Sequence, residues 1–512
     1  MNLLLIMLEF IKKNNRSLWL LGLLFLMVTA CKQTQDNTAA SNVKVYQTAS
    51  NGDKLKEVGL SNDDQPATIT ISINAEELHQ TITGFGGAFT ESSAYLYHKL
   101  GSDNKQKLLD AYFSDSGANY SLMRTHMNSC DFSIDHYSYA PVANDTFLDS
   151  FSIQEDVMDL IPLIKDAQKT STNGFKIIAS PWTAPPWMKD NNDWYGGKLL
   201  EEFYPTWANF FVKYTKEYQK LGIPIWAFTV ENEPLGNNAN WESMHYSPEE
   251  MVDFVKNHLS PTLQQNEING RLLMYDQNRG KELNEWTDVY LKDTALLSMI
   301  YGTAVHWYNS TYDWYPESLE ETHNKAPNKH IIETEGCIDA EVPHWNDDAW
   351  YWSKEATDWG WDWASEEDKK YHPKYVPTFR YARDIIGCLN SHVEGWVDWN
   401  ILLDEKGGPN LAQNWCIAPV LANVEKDELY FTPLYYVLSH FSKFIRPEAK
   451  RISIETSNDK LMATAVKNND GSIAVQVLNT SDTPVVFELN GINVTTKITI
   501  AKQAIQTVLI TQ

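Results

Sequence analysis

Short apolar runs of four to six residues recur through the middle of the chain and stop at turn or polar residues. Eight of them predict buried strands: Gln80–Gly84, Ser121–Thr125, Lys176–Ser180, Ile225–Val230, Leu272–Tyr275, Thr303–Trp307, His330–Thr334 and Gly395–Asn400. Between several of them the pattern changes to that of an amphipathic helix, as in Val157–Gln168, Trp207–Leu221 and Pro248–Asn266. Such alternation predicts a barrel of parallel strands, because parallel neighbours are joined by helical crossovers. The ends of the chain read differently. Thr68–Ile73, Leu461–Val466, Ser472–Leu478, Val485–Leu489 and Thr496–Ile500 alternate apolar with polar, and turns such as Asn468-Asn-Asp-Gly471 divide them. The expected fold class is α/β: a (β/α)8 TIM barrel with a side β-sandwich domain formed from N- and C-terminal strands. The expected limits are 43–79 for the N-terminal sandwich strands, 80–435 for the barrel and 436–512 for the C-terminal part of the sandwich.

The first residues predict a targeting segment. Lys12, Lys13 and Arg16 precede the apolar run Leu18–Thr29, which is short for a membrane span. It ends in Val28-Thr29-Ala30-Cys31, similar to a bacterial lipoprotein cleavage box, in which the cysteine becomes the lipidated first residue of the mature chain. A plain secretory signal cleaved at small residues is the competing reading, and either exports the protein. Residues 1–31 are thus expected to be a signal peptide and 32–42 a flexible tether. The expected location is the cell envelope, with membrane contact only through a lipid on Cys31.

Composition narrows the partners. A net charge of −25 repels phosphates and argues against nucleic acid. The chain holds 19 Trp and 25 Tyr, enough for a large core and for stacking on the apolar faces of sugar rings. Beyond Cys31 the cysteines are Cys130, Cys337, Cys388 and Cys416; none has zinc-ligand spacing, and buried thiols are expected, with a Cys388–Cys416 bridge left open.

Two segments carry the chemistry. Trp226-Ala-Phe-Thr-Val-Glu-Asn-Glu-Pro234 and Ile331-Ile-Glu-Thr-Glu-Gly336 are strands that each end at a carboxylate. The C-terminal end of barrel strands is where active sites are built. Two carboxylates facing each other there suggest glycoside hydrolysis, one protonating the leaving oxygen and the other attacking the sugar. Strand alternation turns Glu231 with Glu233, and Glu333 with Glu335, so geometry leaves four candidates.

With those residues in view, the chain resembles glycoside hydrolase family 30, most closely its lysosomal glucosylceramidase branch, from about Gly84 to the C-terminus. The resemblance rests on Gly84-Phe-Gly-Gly-Ala-Phe-Thr-Glu91, Arg124 through Cys130-Asp-Phe-Ser133, Ala179-Ser-Pro-Trp-Thr-Ala-Pro-Pro-Trp187 and Glu231-Asn-Glu-Pro234. It extends through Ala304-Val-His-Trp-Tyr308, Glu335-Gly-Cys337, Gly395-Trp-Val-Asp-Trp-Asn400, Gly407-Gly-Pro-Asn410 and His440-Phe-Ser-Lys-Phe444. It implies that Glu233 is the general acid/base and Glu335 the nucleophile of a retaining β-glucoside hydrolase. It further implies that Asn232 bonds the sugar 2-hydroxyl, that Asp131, Trp182, Trp399 and Asn414 hold the glucosyl unit, and that His306 and Tyr308 orient Glu335. Arg124 would hold the nucleophile ionised or serve as a structural ion pair. Acid–base and covalent catalysis need no metal or organic cofactor.

The implied substrate is a β-glucoside, either a glycolipid such as glucosylceramide or a β-1,6-glucan. A surface lipoprotein that captures glycans without cleaving them would be expected to lack one of the two carboxylates, and both are present. The chain departs from the family pattern in the Trp-rich runs His344–Trp352 and Asp358–Trp363, expected to form glucan subsites, an apolar wall for lipid, or packing within a long loop.

Overall fold

The computed structural model describes residues 42–61, 66–236, 240–310, 312–339, 377–491 and 495–511. The signal segment with Cys31, residues 32–41 of the tether and the Trp-rich runs lie outside the described residues.

Eight parallel strands close into a barrel: β1 Gly84–Phe89, β2 Leu122–Met127, β3 Lys176–Pro181, β4 Ala227–Thr229, β5 Arg271–Asn278, β6 Gly302–His306, β7 His330–Gly336 and β8 Val393–Asp398. Leu122, Ile178, Ala227, Leu273, Ala304, Ile332 and Val397, one from each of β2–β8, form a separate apolar cluster that fills the barrel. The remaining strand, β1, is glycine-rich for a steric reason: a Cβ on Gly86 would lie 1.9 Å from the Leu122 carbonyl oxygen. This strand is displaced from its expected position. Gln80 belongs to the end of the sandwich strand Ile69–Thr81, and the barrel strand starts only at Gly84 and runs through Gly84-Phe-Gly-Gly to Phe89.

Helices cover the barrel as the apolar spacing requires. In Leu160–Thr170 the side chains of Leu160, Ile161, Leu163, Ile164 and Ala167 are buried, one stripe at helical period, and the Asp159 side chain caps the start. Pro248–Phe254 begins with a capping box between Ser247 and Glu250.

The flanking strands form one nine-stranded sheet in which Asn42–Ala49 lies beside Ala504–Thr511, and Ile69–Thr81 lies between Lys450–Thr456 and Val485–Asn490. It closes on its own core of Ile71, Ile452, Val475, Phe487 and Ile498 among others, the sandwich expected from both chain ends. The limit expected at 435/436 falls inside the helix Pro433–Ser442, and sheet resumes at Lys450. That helix joins the two parts: Phe441 packs 6.1 Å from Phe85 of β1, while His440 bonds Thr507 and Thr48, each at 2.9 Å. Burial lowers the His440 pKa to about 3, so it is a neutral tie between sheet and barrel. After β8 a three-stranded sheet of Leu402–Asp404, Val420–Asn423 and Glu428–Phe431 adds a ledge that the periodicity does not predict.

Candidate active site

At the C-terminal mouth of the barrel three strands break their regular pleat. The chain leaving β4 puts Glu233 at φ 48°, held by Glu233 N–H to the Asp276 carbonyl at 3.0 Å and Asn232 N–H to the Pro181 carbonyl at 2.7 Å. On β5, Tyr275 and Asp276 both have positive φ, and the register against β6 shifts between Tyr275 and Gln277. On β7 the register against β6 shifts between Glu333 and Glu335. Each irregularity re-aims one side chain, which is how a bulge serves a site. It also separates the four candidate carboxylates. Glu233 and Glu335 line a cavity of about 300 Å³. Glu231 and Glu333 are fully buried away from it, Glu231 near Lys189 and Glu333 with Oε2 3.6 Å from Arg279 Nε. Burial raises both of their pKa values well above the ordinary range.

Arg124 is the hub. Its Nε donates to Ser180 Oγ at 3.0 Å and its Nη2 to Asn232 Oδ1 at 2.8 Å and Asp276 Oδ2 at 2.7 Å, while Nη1 donates to Glu335 Oε2 in a short contact. Asp276 then accepts from His306 Nε2 at 3.0 Å and Thr334 Oγ1 at 2.6 Å, and the other ring nitrogen, His306 Nδ1, lies 3.3 Å from Glu233 Oε1. A continuous chain thus runs Glu335–Arg124–Asp276–His306–Glu233. Tyr308 Oη donates to Glu335 Oε1 at 2.9 Å. His306 and Tyr308 were both expected to orient Glu335. Tyr308 contacts it, but the His306 ring bonds Glu233 and Asp276 instead and sits behind the cavity wall.

The electrostatics follow from this chain. Burial favours neutral His306, but the Glu335 and Asp276 carboxylates outweigh it and push its pKa up to about 10, so the ring is an imidazolium donating from both nitrogens. Burial likewise acts to raise the Asp276 pKa, and Arg124 and His306 overcome it and hold this carboxyl below the usual range. For Glu335 burial raises the pKa, with His306 and Arg124 opposing and Glu233 adding to the rise. Asp131, also buried, is raised well above the ordinary value by burial and by Glu335.

The sugar-sized cavity is lined by Asp131, Trp182, Asn232, Tyr308, Trp399 and Asn414 as expected, and by Trp241, Gln277 and Asn278, which sequence reasoning passed over. Trp182 and Trp399 stack at 5.0 Å, with the Arg124 guanidinium 4.9 Å and 5.5 Å from their rings. Asn414 Nδ2 donates to Asp131 Oδ2 at 3.4 Å. Among the described residues, two buried polar atoms of the lining, Asp131 Oδ1 and Trp399 Nε1, have no hydrogen-bond partner. An acceptor and a donor held ready at a cavity wall are what a ligand rich in hydroxyls satisfies. Asp276 was missed as well. Its one signal was the polar run Asp276-Gln-Asn278 directly after the fifth predicted strand.

Among the described residues, Glu233, His306 and Glu335 form the group close enough to share a cation, their ligand atoms lying within 4.8 Å of one another. An imidazolium has no lone pair to give, and Arg124 already neutralises Glu335, so this donor set is poorly suited to a metal. The thiols do not pair as the open bridge supposed: Cys416 Sγ lies 3.0 Å from Cys337 Sγ, whereas Cys388 Sγ accepts from Arg279 Nη1 at 2.7 Å.

A closed parallel barrel with two carboxylates lining one cavity at its strand ends is an arrangement that suits a glycosidase. Residues 82–445 match the glycosyl hydrolase family 30 TIM-barrel domain and residues 448–508 the glycosyl hydrolase family 30 beta sandwich domain. The chain belongs to glycoside hydrolase family 30. It is 34% identical to the lysosomal acid glucosylceramidase of Mus musculus over 82% of this chain and 79% of that one. It is 26% identical to an endo-1,6-beta-D-glucanase of Neurospora crassa over 88% of this chain and 90% of the other. The crystal structure of SrfJ from Salmonella typhimurium superposes with a TM-score of 0.80 at 29% identity, covering 92% of this chain and 99% of that one.

Proposed function

We propose that the protein cleaves β-D-glucosidic bonds with retention of configuration, in the manner of a glucosylceramidase. The observation that carries this is the pairing of Glu233 and Glu335, whose carboxylate oxygens lie within 4.8 Å. Retaining enzymes hold their carboxyl groups about 5–5.5 Å apart and inverting enzymes about 6.5–9.5 Å, since only the latter must fit a water between acid and sugar. The two partners differ in surroundings. Glu335 accepts from Arg124 and Tyr308, both donors to an anion, so it attacks the anomeric carbon as carboxylate. Among the described residues Glu233 meets one donor, His306, and it is the partner that protonates the glycosidic oxygen. When the glycosyl–enzyme ester forms, the charge on Glu335 is gone, and Glu233 takes a proton from the water that releases the sugar. Asn232, its Oδ1 engaged by Arg124, turns its amide N–H to the sugar 2-hydroxyl. Asp131 Oδ1 and Trp399 Nε1 bind further hydroxyls.

A second substrate reading, β-1,6-glucan, is favoured by the Neurospora crassa relative, because glucosylceramide and this glucan present the same β-glucosyl unit to the cavity. We place the mature protein outside the cytoplasm, anchored through a lipid on Cys31. The test is hydrolysis by the chain lacking residues 1–31 of an aryl β-glucoside, glucosylceramide, β-1,6-glucan and β-1,3-glucan. Cleavage of the aryl glucoside and the lipid with retained anomeric configuration is expected. Glucan cleavage alone shifts the assignment to the second reading, and inertness toward all four refutes both.

A further inference from the structure

We propose that Cys337 and Cys416 are a thiol–disulfide exchange site at the wall of the active-site cavity, which a small dialkyl disulfide oxidises to an intramolecular disulfide that slows turnover. The sulfurs are 3.0 Å apart, and the segments bearing them are tied by an antiparallel bridge that pairs Ile338 with Ile417 and Asp339 with Cys416. A disulfide bond is about 2.05 Å long, so closure asks for roughly 1 Å of movement. The Cys337 carbonyl is fixed by Trp307 Nε1 at 3.0 Å, which leaves the side chains to make that movement. Both cysteines are buried from bulk solvent, yet Cys337 lines the cavity, so a small disulfide reaches this sulfur first. The other two described thiols are engaged elsewhere, Cys388 with Arg279 and Asp384 and Cys130 with Ser133.

The exchange balances without further reagents. The Cys337 thiolate attacks one sulfur of R–S–S–R, and the departing R–S⁻ takes up the proton Cys337 gave, leaving as R–SH. The Cys416 thiolate then attacks the Cys337 sulfur of the mixed disulfide, and a second R–SH leaves with the proton from Cys416. Two thiols have lost two electrons, and the dialkyl disulfide has gained them.

The site reaches the chemistry through Tyr308. Its phenol oxygen lies 3.4 Å from Cys337 Sγ and 2.9 Å from Glu335 Oε1. The one phenolic proton goes to Glu335 and the Cys337 S–H to Cys416 Sγ, so the Cys337 sulfur meets the Tyr308 oxygen as a close packing contact. Oxidation draws the sulfur toward Cys416 and away from Tyr308, which loosens Tyr308 and with it Glu335. Loss of the Tyr308–Glu335 hydrogen bond lowers kcat by about three- to tenfold.

The test treats the reduced full-length protein and a Cys416→Ser variant with 2-hydroxyethyl disulfide under native conditions. Unreduced peptide mapping and aryl β-glucoside turnover are measured before and after dithiothreitol. The expected wild-type result is a Cys337–Cys416 cross-linked peptide pair and a fall in kcat, both reversed by dithiothreitol. The variant, active when reduced, should stop at a mixed disulfide on Cys337. Wild-type protein in which both cysteines stay thiols, carry separate adducts or pair with other cysteines overturns the proposal, and so does a full cross-link with unchanged kcat. The activity arm rests on the glucosidase reading, whereas the peptide map does not. Failure of that reading is seen as absent turnover before treatment, and the map still decides whether the disulfide forms.

Discussion

Replacing Asp276 by Asn removes the one charge that both cavity carboxylates reach, Glu335 through Arg124 and Glu233 through His306. With Arg124 still cationic, and His306 still held as an imidazolium by Glu335, the site gains one net positive charge. Two carboxylates on opposite sides of a guanidinium lie about 6 Å apart, and at an effective dielectric near 20 their interaction is about 3 kcal/mol, or roughly two pH units. Relaxation and water entry reduce this, so the whole bell of kcat/KM against pH should move toward acid by about one unit. The direction follows from the sign: Asp276 raises the Glu335 pKa, and its loss lets the pair ionise at lower pH. Asn keeps the shape of Asp and still accepts from Arg124. The assay is the pH profile on an aryl β-glucoside, with circular dichroism and a thermal melt to establish that the variant is folded. A folded variant whose rate is lower at every pH but whose bell stays centred where the wild-type bell is would refute the reasoning, because Asp276 would then be scaffolding only.

The four candidate glutamates should separate cleanly: Glu233→Gln and Glu335→Gln each lower kcat by about 10³-fold or more, measured on a natural glucoside. Glu231→Gln and Glu333→Gln, which replace buried carboxyls whose pKa burial has raised, should leave kcat within about threefold in the same assay. Asp131→Ala removes a polar group from the cavity wall and should lower kcat/KM by roughly 30-fold, the scale of about 2 kcal/mol for a buried ligand hydroxyl left unsatisfied. Acid unfolding should also report Asp276. Its folded pKa is depressed, so its contribution is present above the unfolded value of about 3.9 and is lost as pH falls below it. Melting temperatures taken from pH 6 down to about 2 should therefore fall more steeply for the wild type than for Asp276→Asn.

The fold was legible because its signals are local. Eight short apolar runs with helical stretches between several of them point to a parallel barrel, and the alternating runs at both ends lie in one sheet. The first strand was expected at Gln80–Gly84 because the glycines of Gly84-Phe-Gly-Gly interrupt the apolar pattern beyond it. Its glycines are there so that neighbouring strands can approach, as Gly86 does against Leu122. Within the site, the expected residues line one cavity except His306 and Arg124, which lie behind its wall. What periodicity could not supply was direction. Alternation gave four equivalent glutamates, and the positive φ at Glu233 and the register shift before Glu335 chose between them. Asp276 stayed hidden for a related reason. An Asp after a strand is commonplace, and only the fold brings Arg124 and His306 to its two oxygens.

The central claim is that Glu335 forms a covalent bond to the sugar, and trapping that species tests it most directly. A 2-deoxy-2-fluoro-β-glucoside with an activated leaving group slows release of the sugar more than its transfer, so the glycosyl–enzyme accumulates. Proteolysis and mass mapping of the inactivated protein should place the whole label on the peptide carrying Ile331–Gly336, with the ester on Glu335. A label on Glu333, on Glu231 or on Glu233 would contradict the account, as would time-dependent turnover of the reagent with no labelled peptide at all.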